Sequence, residues 1–438
     1  MMREPLSLLE KRVLVLGLGD TGLSVARWVE RQGGKVRAAD TRDAPPRAAH
    51  YKGELHTGPF VAALLEGVDL VCASPGLNPD QPIVREARAR GVPVLGDVEL
   101  FARHAREKVI AVTGTNGKST VTALTGHLLR AAGVDCEVAG NIGPPVLDAL
   151  MRHSSEPSAW VLELSSYQLE TTWSLEPHAA AMLNLSEDHL DRYRCFDEYG
   201  AAKARVFAGT GVQVLNRDDA RSMAMARAGR PVVTVGLDAP SRDEDFGLVG
   251  GSLAEGATPF LPVAQLPVHG LHNAANALAA SALARTLGVS LEQIAGGLRT
   301  FRGLPHRLQL VGQRGGVDWY DDSKGTNVAA TIAALRGLGR KSVLILGGES
   351  KGQDFSPLVE PVRQFARQVL LIGRDAPLIE KAIPGERCAS LETAVERAAK
   401  LARPGDAVLL SPACASFDMF RDYRHRGQVF AAAVRRLP

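Results

Sequence analysis

Val109-Ile110-Ala111-Val112-Thr113-Gly114-Thr115-Asn116-Gly117-Lys118-Ser119-Thr120 is the stretch on which the reading of this 438-residue chain turns. Four apolar residues run into a glycine-punctuated turn and then into helix-forming sequence, the pattern of a buried strand that delivers a loop to a helix N-terminus. Gly114 and Gly117 permit positive φ and close backbone approach, so several N–H groups can converge on one anion. Lys118 then reaches outer phosphates, and Ser119 or Thr120 offers a hydroxyl to the magnesium ion that a triphosphate carries. Val112 stands where the strict phosphate-loop pattern has its first glycine, so this is a contracted variant. A glycine-rich turn with a solvated lysine is the bland alternative.

Upstream, Arg12 to Leu16 reads as a strand, followed by Gly17-Leu18-Gly19-Asp20-Thr21-Gly22, the dinucleotide fingerprint, and an amphipathic helix. A second strand, Lys35 to Ala39, ends in Asp40, where a doubly wound domain holds a ribose. NAD binding is one reading of this segment. A diphosphate at the helix N-terminus, as in a UDP-sugar, is another. A third strand, Val68 to Ala73, leads into Ser74-Pro75-Gly76.

Downstream, Asn141 lies in a Gly- and Pro-rich loop and can donate to a substrate. Ala159 to Leu164 reads as a strand whose single charge, Glu163, is costly to bury unless it meets a cation or backbone donors. Ser165 to Glu170 follows. The next strand, Ala179 to Leu185, ends in Ser186-Glu187-Asp188-His189, where the histidine is structural or catalytic. Lys203 reads by itself as a solvated helix lysine. The stretch from Arg217 to Val268 carries little signal beyond weak strands such as Val232 to Val235. Asn273 and Asn276 open an apolar helix, where their amides read an adenine edge or cap the helix. Past a linker at Gly303 to Arg307, strands at Val317 to Tyr320, Ser342 to Leu346, Gln368 to Ile372 and Ala407 to Leu410 alternate with helices. Polar residues cluster beyond their carboxyl ends, where ligands bind in such sheets. Lys324 and Lys351 suit an acidic substrate, Ser416 another oxygen, and Arg307 a phosphate or ribose.

The chain is too long for one core. Its 51 basic and 48 acidic residues are interspersed, which disfavours nucleic acid as a partner. No apolar run is long enough to span a bilayer, and no secretory signal opens the chain, so no membrane insertion is expected. Five cysteines without a Cys-x-x-Cys pair suit a reducing cytoplasm.

Taken together, Thr113 to Thr120, Leu162-Glu163-Leu164-Ser165-Ser166, Glu187 to Tyr193, Gly270 to Asn276, Leu304 to Arg307 and Asp322 to Asn327 resemble the ATP-dependent Mur ligases from end to end. The fold so implied is α/β in three domains. A Rossmann-like UDP-sugar domain takes 1–98, a phosphate-loop ATP domain 99–303, and a Rossmann-like amino-acid domain 304–438. Within that family, Gly17-Leu18-Gly19-Asp20-Thr21-Gly22-Leu23-Ser24, Asp40-Thr41-Arg42, Ser74-Pro75-Gly76 and the run Leu410 to Phe420 resemble one member closely, which implies amide formation between UDP-N-acetylmuramoyl-L-alanine and D-glutamate through an acyl phosphate, in cytoplasmic peptidoglycan precursor synthesis, by a monomer. Catalytic roles fall to Lys118, Glu163, His189 and Lys203. Two magnesium ions are implied, with Ser119 and Glu163 as ligands of the first. His189 and Lys203, the latter as a CO₂-derived carbamate, serve the second. ATP contacts are Gly114, Thr115, Asn116, Gly117, Lys118, Ser119, Thr120, Asn276, Arg307 and Asp322. Asp40, Thr41, Arg42, Asn141 and Gln168 match positions near the UDP-sugar, with Gly19, Thr21, Ser74, Gly76 and Ser165 as further substrate positions. Lys324, Thr326, Lys351, Ser416 and Tyr423 match the amino-acid pocket. Three departures stand out: Asp321 where Asn is usual, Gly325 for Ala, and Tyr423 for Phe. The alternatives are a Mur-type ligase for another amino acid, an NAD-dependent oxidoreductase, and a nucleotide-dependent switch.

Overall fold

The structure, a computed structural model, describes residues 6–188, 192–268 and 270–437. The chain forms two compact units: Met1–Asn184 with Asp197–Val235 and Ala279–Ile294, and Leu185–Phe196 with Gly236–Leu278 and Ala295–Pro438.

The first unit holds two parallel sheets. Strands β1 (Arg12–Leu16), β2 (Lys35–Asp40), β3 (Glu54–Thr57), β4 (Leu70–Ala73) and β5 (Val94–Leu95) lie in the order β3-β2-β1-β4-β5. The order reverses between β1 and β4, which opens a crevice at their carboxyl ends. Strands β6 (Lys108–Thr113), β7 (Cys136–Gly140), β8 (Ala159–Glu163), β9 (Ala179–Met182), β10 (Val212–Asn216) and β11 (Val232–Val235) run parallel in the order β11-β10-β9-β6-β8-β7. The buried runs Val-Ile-Ala-Val of β6 and Trp-Val-Leu of β8 are what a sheet covered on both faces requires.

One hydrophobic cluster joins the two sheets, running from Val13 and Trp28 through Leu100 and Phe101 to Trp160 and Leu162. Helix Asp97–His104 is the connector, and Phe101 meets Trp160 edge-on at 5.2 Å. This helix is buried on nearly every side, including its acids. Glu99 is 0% exposed and accepts from the Trp173 and Ser174 N–H groups (2.7 and 2.8 Å), the Ser174 hydroxyl (2.7 Å) and Arg103 Nε (2.7 Å). Burial pulls this carboxyl upward, but those donors outweigh it and hold it below the usual range.

Asp97 is the opposite case. It is 1% exposed, and burial pushes it up to about 6, with nearby N–H groups and the Gln168 amide offsetting only part of the rise. A carboxyl raised on folding contributes a cost that is absent below its unfolded pKa and fully present above its folded one. Asp97→Asn is therefore expected to stabilise the fold at pH 8 by up to about 3 kcal/mol for a shift of about two pKa units, seen as a higher thermal midpoint, and to change little at pH 4. Equal midpoints at pH 8 would refute this account of the helix.

In the second unit, β12 (Phe246–Val249), β13 (Ser252–Glu255) and β14 (Thr258–Pro262) form an antiparallel meander. Its first turn is Gly250-Gly251, both at positive φ, a hairpin signal overlooked in a stretch of otherwise weak strands. Strands β15 (Gln309–Arg314), β16 (Val317–Asp321), β17 (Ser342–Gly347), β18 (Ala366–Ile372), β19 (Glu386–Arg387) and β20 (Ala407–Leu410) lie in the order β15-β16-β20-β17-β18-β19, parallel except for β15. Trp319, Ile345, Leu410 and Phe430 pack on one face, and Leu344, Leu346, Leu371 and Leu409 on the other. This leaves the carboxyl ends of β16, β17 and β20 to carry the polar loops.

Candidate active site

The sequence-predicted residues fall into separate groups. At the carboxyl edge of the first sheet, Gly17 takes φ 87 and approaches Ser74, whose hydroxyl donates to its carbonyl at 2.9 Å. Gly19 caps helix Asp20–Arg31, and Thr21 lies in that helix's first turn. Asp40 is buried. Its carboxylate accepts from Leu18 N (2.7 Å), Arg42 N (3.0 Å) and the Arg42 guanidinium (2.6 and 2.8 Å). Burial alone would raise it, but Arg42 and the N–H groups hold it down to about 2. Asp40 thus shapes the glycine turn and orients Arg42, while Thr41, Arg42 and Gly76 face solvent.

The phosphate loop lies between β6 and helix Lys118–Ala131. Gly114 has φ 146 and Gly117 caps the helix at φ 83. Asn184, which the sequence reading passed over, latches the loop: its carbonyl accepts from Thr115 N (2.9 Å) and its Oδ1 from Asn116 N (2.8 Å). Thr115 Oγ1 lies 3.2 Å from the Tyr199 hydroxyl. Ser119 and Thr120 are buried in the first helical turn. Lys118 Nζ donates to the carbonyls of Gly114 (2.9 Å) and Thr115 (2.8 Å). Lys203, far from being a solvated lysine, is 1% exposed and donates to the same Gly114 carbonyl at 2.8 Å. Two lysine Nζ atoms thus share one carbonyl oxygen.

Beside it in the parallel order, β8 ends at Glu163. Oε1 accepts from Asn141 Nδ2 at 2.6 Å, whereas Oε2 is buried with no hydrogen-bond partner. Gly140 is required there, since a Cβ would stand 2.4 Å from the Glu163 carbonyl. An unbonded anionic oxygen inside the protein is costly unless a cation meets it, and a hard oxygen donor suits magnesium. Ser165 and Gln168 cap the following helix reciprocally. His189 lies outside the described residues. Among those described, no three of His, Cys, Asp and Glu form a metal-holding group.

In the second unit, Asn276 donates to Asn273 Oδ1 at 3.3 Å. Asp322 accepts from the Ser411 hydroxyl (2.7 Å) and from Leu308 N (3.2 Å). Burial pushes its carboxyl up to about 7, against the pull of Ser411 and nearby Arg307. Gly325 fits this arrangement, because a Cβ would lie 2.6 Å from Asp322 Oδ2 and 2.8 Å from the Ser411 hydroxyl. Lys324 Nζ sits 4.0 Å from the centre of the Tyr423 ring. Lys351 is at φ 54, in a loop tied to the Ser416 loop by paired backbone bonds between Glu349 and Ala415. Gln353, another residue not foreseen, accepts from Val328 N, just after Thr326 and Asn327, and donates to Ser350 and Ala413 carbonyls, knitting three loops together. Buried Arg426 does the same from below, donating to Ser323 and to the Cys414 and Ala415 carbonyls.

Comparison with known proteins finds likenesses along nearly the whole chain. The family description "Mur ligase MurD-like, N-terminal domain" matches residues 11–96, "Mur ligase middle domain" 112–284, and "Mur ligase, glutamate ligase domain" 306–414. The UDP-N-acetylmuramoylalanine–D-glutamate ligase of Thiobacillus denitrificans is 56% identical, covering 99% of this chain and 98% of its own. That of Nitrosospira multiformis is 53% identical over 97% and 95%. Among solved structures, the UDP-N-acetylmuramate-alanine ligase MurC of Thermotoga maritima superposes with a TM-score of 0.63 at 20% identity, covering 97% of this chain and 99% of that one. MurF of Acinetobacter baumannii gives 0.59 at 19%, with 98% and 94% covered. At those identities the likeness concerns fold alone.

Proposed function

This chain belongs to the Mur ligase family, and from that premise we infer that it joins D-glutamate to UDP-N-acetylmuramoyl-L-alanine, with ATP cleaved to ADP and phosphate. The observation that carries the inference is the likeness, over nearly the whole chain, to ligases named for that reaction. The domains are read as 1–98 for the UDP-sugar, 99–303 for ATP and 304–438 for the amino acid, in a cytoplasmic monomer. The family matches at 11–96, 112–284 and 306–414 support that division.

The substrate carboxylate attacks the γ-phosphorus, forming an acyl phosphate as ADP leaves. The amine of D-glutamate then attacks the acyl carbon, and phosphate departs from the tetrahedral intermediate. The chain's part is positioning and electrostatics. The N–H groups at the start of the helix that begins at Lys118 are the ones aimed at the phosphates, those of Thr115 and Asn116 being held by Asn184. Lys118 exchanges its two loop carbonyls for phosphate oxygens. Magnesium, when bound, neutralises charge on the transferring phosphoryl group; Ser119, Glu163, His189 and Lys203 are the residues read as holding two ions. The unbonded Glu163 oxygen supports the first of these. For Lys203, the carbamate reading is supported by its closeness to Lys118 on one carbonyl oxygen: converting one ammonium to an anion turns repulsion into attraction.

An assay of ADP release tests the reading. Release is expected only when both UDP-N-acetylmuramoyl-L-alanine and D-glutamate are present. A rate indifferent to D-glutamate would contradict it.

A further inference from the structure

The proposed reaction gives no role to His306 and Asp321, a pair that helps hold the bend carrying Arg307. His306 and Leu308, on either side of that arginine, both lie in the left-handed region at φ 62 and φ 48. Residues with side chains stay there only where their surroundings impose it. The imposing group is Asp321, 1% exposed, whose Oδ2 accepts from His306 Nδ1 at 2.7 Å and whose Oδ1 accepts from Ser323 N at 2.9 Å. Three N–H groups add to the hold: Lys324 N donates to the His306 carbonyl at 3.1 Å, Leu308 N to Asp322 Oδ1 at 3.2 Å, and His306 N to Gln309 Oε1 at 3.2 Å. The last helix, Tyr423–Arg436, is cut away to admit the pair. A Cβ on Gly427 would stand 2.1 Å from His306 Nδ1 and 2.6 Å from Asp321 Oδ2. Tyr423, one turn earlier, meets the His306 ring edge-on at 6.1 Å.

We propose that Asp321 is a positioning residue for nucleotide binding: its buried carboxylate fixes the His306 ring, and with it the strained bend that presents Arg307. This rests on the reading of Arg307 as a nucleotide contact. The glycine at 427 and the acid at 321 are then two halves of one device, since either a side chain on the helix or the loss of the acceptor frees the histidine.

The test compares KM for ATP with kcat in Asp321→Ala, Asp321→Asn, Gly427→Ala and Arg307→Ala proteins. Asp321→Ala is expected to raise KM for ATP about tenfold while kcat stays within about threefold, the pattern of lost binding rather than lost chemistry. Asp321→Asn keeps one oxygen to accept from Nδ1–H but turns its NH₂ toward Ser323 N, so it is expected to recover part of that loss. Gly427→Ala leaves every polar group in place and is expected to raise KM for ATP as well, which keeps the proposal testable if Asp321→Ala does not fold. Unchanged KM for ATP in Gly427→Ala and in a folded Asp321→Ala protein, with Arg307→Ala impaired, would overturn the positioning role alone. So would equal losses in the Ala and Asn variants. Unchanged KM for ATP in Arg307→Ala would remove both the reading of Arg307 and the proposal built on it.

Discussion

Glu163→Gln is expected to lower kcat by about 10³-fold and to leave the protein at least as stable as the parent in the absence of divalent cations. The two signs have one cause. Glu163 Oε2 is enclosed by protein without a hydrogen-bond partner, while Oε1 is engaged by Asn141. Glutamine keeps the oxygen that Asn141 needs and removes the unmatched charge, so the folded protein loses a burden. The same change replaces a cation ligand with an amide NH₂, which cannot bind one. Steady-state rates across a magnesium titration, paired with thermal midpoints in a chelator, check both halves. Retention of more than about a tenth of the parental kcat would show that the buried oxygen is a structural accident rather than a ligand.

Lys203→Ala is expected to cost about 10³-fold in kcat, with at least about a tenth of the lost rate restored by added acetate. Removing the side chain also leaves a space beside the Gly114 carbonyl and the Tyr199 ring, which Lys203 Nζ approaches at 4.7 Å. A small carboxylate entering that space supplies the oxygens that a carbamate would. If Lys203 serves only as an ammonium on Gly114, acetate brings the wrong charge and has no benefit. Rates measured with and without acetate in the variant, beside propylamine as a cationic control, separate the cases. Rescue by the amine, or loss indifferent to both, would sink the carbamate role.

The sheets were legible because buried parallel strands write themselves as apolar runs ended by glycine turns. Val109 to Gly117 and Arg12 to Gly22 needed no partner information to be read. Glu163 stood out for a related reason, since an acid in such a run has few explanations. What the sequence concealed are groups whose partners lie far along the chain. Asn184 reaches Asn116 across 68 positions, Glu99 reaches Trp173 across 74, and Arg426 reaches Ser323 across 103. No periodicity encodes those pairings. Lys203 belongs with them: its helix placement reads as solvated, and only the fold brings it 89 positions back to Gly114. Asp40 stood out by its motif, but the motif did not name its partners, Leu18 N and the Arg42 guanidinium. The meander at 246–262 was missed where a Gly-Gly turn outweighed weak strand propensity.

The central claim, amide synthesis specific for D-glutamate, is tested most directly by mass spectrometry of the nucleotide product. The protein would be incubated with ATP, magnesium and UDP-N-acetylmuramoyl-L-alanine, and with D-glutamate, L-alanine or L-lysine in turn. A single new species, heavier than the acceptor by one glutamate less water and formed one-for-one with ADP, is the predicted result, with neither of the other amino acids incorporated. ADP formed without any new amide, or equal incorporation of all three, would contradict it.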